Sequence, residues 1–188
     1  MQPMAVIPAP RERILSAASR LFTQQGIGRT GVDSLIADAG VAKATFYRHF
    51  PAKEDLVVAW LRDPRTRWFD RVRALADSEI ASPADRIPAL FEAAAKWLEA
   101  GDYRGCPYLN TVIEVVDPNG QPAQAIREYL AEIGAYIEEQ VRLTGHPNPV
   151  EIGRKLHTLL AGSISLGVAN RTSAHALAAR DAALQLLR

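Results

Sequence analysis

The residues best equipped for chemistry stand between positions 43 and 53. Lys43, Thr45, Tyr47, His49 and Lys53 offer ammonium, hydroxyl and imidazole groups, and no carboxylate interrupts the run from 43 to 49. Such a row suits a phosphate backbone, beside which the absence of negative charge matters as much as the presence of positive charge. The charge distribution points the same way. Residues 1–51 carry six Lys/Arg against three Asp/Glu, and residues 52–188 sixteen against eighteen, within a chain whose formal net charge is only +1. A polyanionic partner is expected at the N-terminal end.

Two other constellations have catalytic residue types. Ser163, Ser165, His157 and Glu151 could compose a hydrolase, and Cys106 with His146 a thiol nucleophile. Neither lies in a nucleophile elbow or a metal-ligand run. Glu151 and His157, six residues apart, align poorly on one helix face. Neither catalysis nor a metal site is expected. The single cysteine rules out an intrachain disulfide and a multi-cysteine zinc site, which agrees with a reducing cytoplasm. Cys106 has no resolving partner in its chain, and its Gly105 and Pro107 neighbours suggest a tight junction rather than a redox sensor.

The elements that must position these residues read as helices almost throughout. Ile14, Ala18, Leu21 and Phe22 recur at helical spacing over 11–24. Gly26 and Gly28 end that helix, and Thr30 with Asp33 gives a weak variant of a capping box for a short helix to about Asp38. Gly40 closes it, a brief helix runs from Ala42 to His49, and Pro51 forces a change of direction. Another helix carries Leu56, Val57, Trp60 and Leu61, with a break or kink expected near Asp63 and Pro64. Pro83 and Pro88 bracket the opening of a helix through Leu98, with Pro88 able to sit in its first turn. Leu109–Val116 has strand propensity but no ladder partner, so helix is expected there too. The sequence Asp117-Pro-Asn-Gly marks a turn before a long amphipathic helix, and two further helices end the chain. The reading is all-α with about nine helices: an arm over 1–10, a three-helix unit over 11–51 and a larger helical unit over 52–188. The opening MQPMAVIPAP lacks the form of a secretory signal, and no stretch is apolar enough to span a membrane, so a cytoplasmic protein without a membrane partner is expected.

Two short helices joined by a glycine turn, with residues 11–24 as a hydrophobic wall, are the arrangement that lays a second helix in the DNA major groove. The text RERILSAASRLFTQQGIGRTGVDSLIADAGVAKATFYRHFPAKEDLVVAW resembles the DNA-binding domain of the TetR family of bacterial transcriptional regulators, with its AGV, TFYRHF and KEDL pieces at the family's spacing. The resemblance implies that Lys43, Ala44 and Thr45 face base edges or adjacent phosphates, that Tyr47 and His49 touch phosphate or sugar, and that Lys53 pins the backbone. Thr30 and Gly31 would place a helix N-terminus at the same edge. Two positions depart from the pattern: Ala42, where serine often caps the recognition helix, and Ile36, where alanine is usual at the helix crossing.

Residues 61–188 resemble the ligand-binding and dimerisation part of that family less strongly, through Arg62, Asp63, Gly105, Cys106, Asn110 and Glu114. The resemblance implies a homodimer on a palindromic operator, more often a repressor, switched by an unidentified small-molecule effector and needing no cofactor. Trp97, Tyr108, Asn110, Glu114 and His157 are the candidate pocket residues. Leu156, Leu160, Ile164, Val168, Leu177, Leu184 and Leu187 are the candidate dimer seam, with Gly162, Ser163, Gly167 and Ala169 small enough for close approach. The competing reading is a small-molecule carrier or adaptor that binds no DNA.

Overall fold

A computed structural model describes residues 8–188; residues 1–7 of the expected arm lie outside the described residues. Ten α-helices and no strand are present among them, one helix more than the sequence count. Helix α1 spans Pro10–Gln25, α2 Val32–Ala39, α3 Lys43–His49, α4 Lys53–Leu61 and α5 Trp68–Glu79. Helix α6 spans Pro83–Ala100, α7 Pro107–Glu114, α8 Gln121–Leu143, α9 Pro149–Asn170 and α10 Ala174–Leu186.

Local chemistry explains several boundaries. Proline opens α1, α6, α7 and α9, or sits in their first positions, where its missing N–H costs nothing. Gly26 leaves α1 at φ +83°, and Gly40 leaves α2 in the left-handed conformation at φ +60°. The Val41 amide then returns to the Ile36 carbonyl at 3.3 Å, the 6→1 bond of a helix that stops at glycine. Pro88 lies inside α6 rather than in its first turn, because the helix already begins at Pro83. The segment with strand propensity is α7, with Val115 and Val116 left beyond its end.

The first three helices enclose Ile14, Ala18, Leu35, Phe46 and Phe50. Helix α4 packs on α1 on one side and α8 on the other. The break expected near Asp63 is a turn over residues 62–67. There Asp63 accepts bonds from the Arg65 amide at 2.8 Å and its guanidinium at 2.9 Å. That pairing holds the Asp63 carboxyl below the usual carboxylate range against the opposing effect of burial. Arg65 also reaches Glu12 of α1 at 3.1 Å, so the turn is tied to the N-terminal unit. Helices α8, α9, α10 and α6 form the rest of the bundle around Ile126, Ile133, Ile137, Leu156 and Leu160.

Candidate nucleic-acid interface

Helix α3 is held by its apolar side and shows its polar side to solvent. Phe46 is completely buried, edge-on to Tyr47 at 5.4 Å between ring centres. One turn on, Phe50 is buried against the Phe46 ring and under the Arg11 guanidinium. Burial of this aromatic pair fixes the rotation of a helix too short to be stable alone. Lys43, Ala44 and Tyr47 are thereby exposed, and Thr45 and His49 are half-buried at the flanks. Arg48 joins the exposed face four residues after Ala44 and has no ion pair among the described residues. Sequence reading passed over it, although the i, i+4 spacing from Ala44 carried the signal.

The turn before α3 is braced from α1. Arg13 donates to the Gly40 carbonyl at 3.0 Å, and Arg20 pairs with Asp38 at 2.5 Å. Ala42 takes the N-cap position with no side-chain acceptor, as the sequence implies. The Lys43 ammonium lies 3.8 Å from Asp33 on α2, a carboxylate the run 43–49 does not reveal. Both groups are exposed, so the attraction is weak. Ile36 is half-buried and packs against the hydrophobic core.

One expected contact is corrected, and a second residue also bonds within the protein. Thr30 is fully buried: the N-cap of α2 is Gly31, and the Thr30 hydroxyl turns inward to donate to the Gly26 carbonyl at 2.6 Å. No capping box forms, and Thr30 organises the α1–α2 turn instead of meeting DNA. Gly31 does stand exposed at the start of α2. The Lys53 ammonium donates to the Ile27 carbonyl at 2.6 Å, so its first role is to tie α4 to that same turn.

The turn receives a third tie from the other half of the chain. Glu114, at the end of α7, accepts the Gly28 amide at 2.6 Å. Gly26, in the left-handed region at φ +83°, stands where a side chain would also come to 3.0 Å of the Glu114 carboxylate. Between this contact and the α7–α8 loop lies a cleft of about 590 Å³.

The five expected pocket residues do not share one space: Asn110 and Glu114 border one small cavity, and Trp97, Tyr108 and His157 stand apart from it. Tyr108 is buried and fills its own space, its hydroxyl donating to the Leu61 carbonyl and its ring against Tyr129 at 4.0 Å. Burial pushes the Tyr108 and Tyr129 hydroxyls well above their usual range. Asn110 is exposed and donates to the Arg104 carbonyl at 2.8 Å, and Glu114 serves the turn contact. His157 faces α8 beside Gly134. Trp97, stacked on Trp68 at 4.7 Å, borders a separate cavity.

The expected dimer seam divides as well. Leu156, Leu160 and Ile164 are interior residues, as is Ser163, because α9 turns that face toward α8 and α6. Gly167 belongs inside too, since a side chain there would meet Leu98 at 2.8 Å. Leu177 and Leu184 are exposed, and Val168 and Leu187 half-buried. The outward stripe of α9 is Thr158, Gly162, Leu166 and Ala169, with open space at Gly162. Among the catalytic types, Ser163 and Ser165 donate to carbonyls of their own helix, at Leu160 and Ala161. The His146 ring accepts the Asn148 amide. Cys106 is buried, which pushes its thiol up despite the amides and the Trp68 indole beside it.

Residues 14–60 match the family described as bacterial regulatory proteins, tetR family. The chain is 30% identical over 171 residues to the HTH-type transcriptional regulator LmrA of Bacillus subtilis, covering 87% of this chain and 88% of that one. It is also 30% identical over 161 residues to the HTH-type transcriptional repressor NemR of Escherichia coli, covering 81% of each. Among solved structures, a TetR-family transcriptional regulator from Streptomyces coelicolor superposes with a TM-score of 0.84 at 29% identity, over 94% of both chains.

Proposed function

Because this chain belongs to the TetR family of bacterial regulatory proteins, we propose that it is a cytoplasmic, ligand-responsive repressor that grips a palindromic operator as a homodimer. The observation that carries the reading is the attitude of α3: Phe46 and Phe50 anchor it, and Lys43, Ala44, Tyr47 and Arg48 project from the protein. A helix so mounted can enter a groove roughly 12 Å wide while α2 crosses the backbone. Tyr47 and Arg48 are placed for phosphate, and Lys43 with Thr45 for the base edges nearest the start of α3. Gly31 offers backbone amides at the start of α2.

One α3 reads only a few base pairs, so two copies at a fixed separation are needed for useful specificity. The exposed stripe of α9 with Leu177 and Leu184 of α10 supports pairing through those helices. The repressor direction follows from relatives with that name, NemR among them. A switch then requires a ligand with different affinity for two arrangements of the pair.

Duplex binding across a salt series tests the reading. Affinity should fall linearly in log–log form as salt rises, and Arg48→Ala should reduce the slope by about one. Binding that is absent at low salt, or indifferent to salt, would overturn it.

A further inference from the structure

All three tryptophans of the chain border one cavity. Trp60 comes from α4, Trp68 from α5 and Trp97 from α6, and the space they share is about 160 Å³. A cavity of roughly 150 Å³ accommodates benzene. Trp68 and Trp97 are stacked nearly parallel, 10° apart, with the Trp68 ring buried. They offer a flat aromatic wall of the sort on which another ring stacks.

The polar groups around this space point to an acceptor. The Trp60 side chain is 4% exposed, and its indole nitrogen is buried with no hydrogen-bond partner. An unsatisfied buried donor calls for a group that would complete it. The Trp68 indole has no partner beyond the weakly accepting Cys106 sulfur. Arg65, Arg71 and Arg104 line the same cavity, and no carboxylate does. Arg65 is neutralised by Asp63 and Glu12. Arg71 uses only Nη1, on the Pro64 and Arg65 carbonyls, and neither Arg71 nor Arg104 forms an ion pair among the described residues. Two guanidinium charges are left without counter-charge beside an aromatic, benzene-sized space.

Resting on the regulator reading above, we infer that this cavity is the effector site and that its ligand is a small aromatic carboxylate of about benzoate size. The ring stacks among the tryptophans, and the carboxylate meets Arg71 and Arg104. The site also lies where a switch is needed. Ser19 and Thr23 of α1 and Trp60 of α4 form one side, and α5, α6 and the loop before α7 the other. A ligand here touches both the helix that braces α2 and α3 and the bundle that carries the α9–α10 stripe.

Tryptophan fluorescence reads the site directly, since every indole lines it. The full chain is titrated with benzoate, neutral benzamide and cationic benzylammonium, without DNA. Benzoate should give a saturable change, with the other two at least ~10-fold weaker, as expected of a charge-assisted contact. The double variant Arg71→Gln/Arg104→Gln, altered only at exposed positions, should lose at least ~10-fold for benzoate and nothing for benzamide. No saturable response to benzoate, or equal affinity for benzamide, would overturn the assignment. With a selected operator duplex, benzoate should shift DNA affinity in the wild type and not in the double variant. Fluorescence-detected binding with no such shift would overturn the switching role, whereas failure to bind any duplex would strike the DNA reading alone.

Discussion

Lys43 and Lys53 look alike in the sequence, two lysines near one short helix, yet the fold gives them different work. Lys43 is exposed and held only by a loose pairing with Asp33, and Lys53 holds the Ile27 carbonyl. Lys43→Ala should therefore flatten the preference among operator variants, a loss of about 1–3 kcal/mol confined to cognate sites. Competition between cognate and scrambled duplexes checks this, and equal losses on both would contradict it. Residue types place Phe46 and Phe50 inside and Lys43, Ala44 and Tyr47 outside, but they miss the exposed Arg48 and do not show that Thr45 and His49 sit half-buried at the flanks. They could not place Thr30, whose inward turn depends on the N-cap falling one residue later, at Gly31.

Helices are legible from period and punctuation, since proline and glycine sit at most of their ends, although the count falls one short and the inward faces of the C-terminal ones are not legible. A leucine-rich helix such as α9 has apolar residues all round, so spacing does not say which stripe meets its own bundle. Leu156→Ala should thus act as a core truncation, lowering stability by about 2–5 kcal/mol in urea unfolding. At the other end of the range, Ala42→Ser supplies the absent N-cap of α3 and should add about 0.5–2 kcal/mol by the same measurement. His157 gives a pH test. Burial lowers its pKa below 6.5, so the unfolded chain binds the proton more readily than the folded one. His157 costs no stability above that value, and the cost grows as pH falls below it until the folded-state pKa is passed. The drop in urea midpoint between neutral and mildly acidic pH should be smaller in His157→Gln than in the wild type.

Across the whole molecule, the α1–α2 turn is where the two halves meet: Thr30 holds it from within, Lys53 from α4 and Glu114 from α7. No sequence pattern announces a carboxylate bonded to a backbone amide 86 residues away. Glu114→Ala should speed exchange of the Gly28 amide and leave the buried amides of α8 unaffected, as read by NMR. The account's central claim is that α3 of two paired copies reads DNA, and selection of bound duplexes from a random pool tests it most directly. The expected product is an inverted repeat with one fixed half-site spacing, lost when Leu166 and Leu184 are both changed to Glu. Recovery of no common sequence at low salt, or of a single unpaired site bound equally well by that variant, would contradict it.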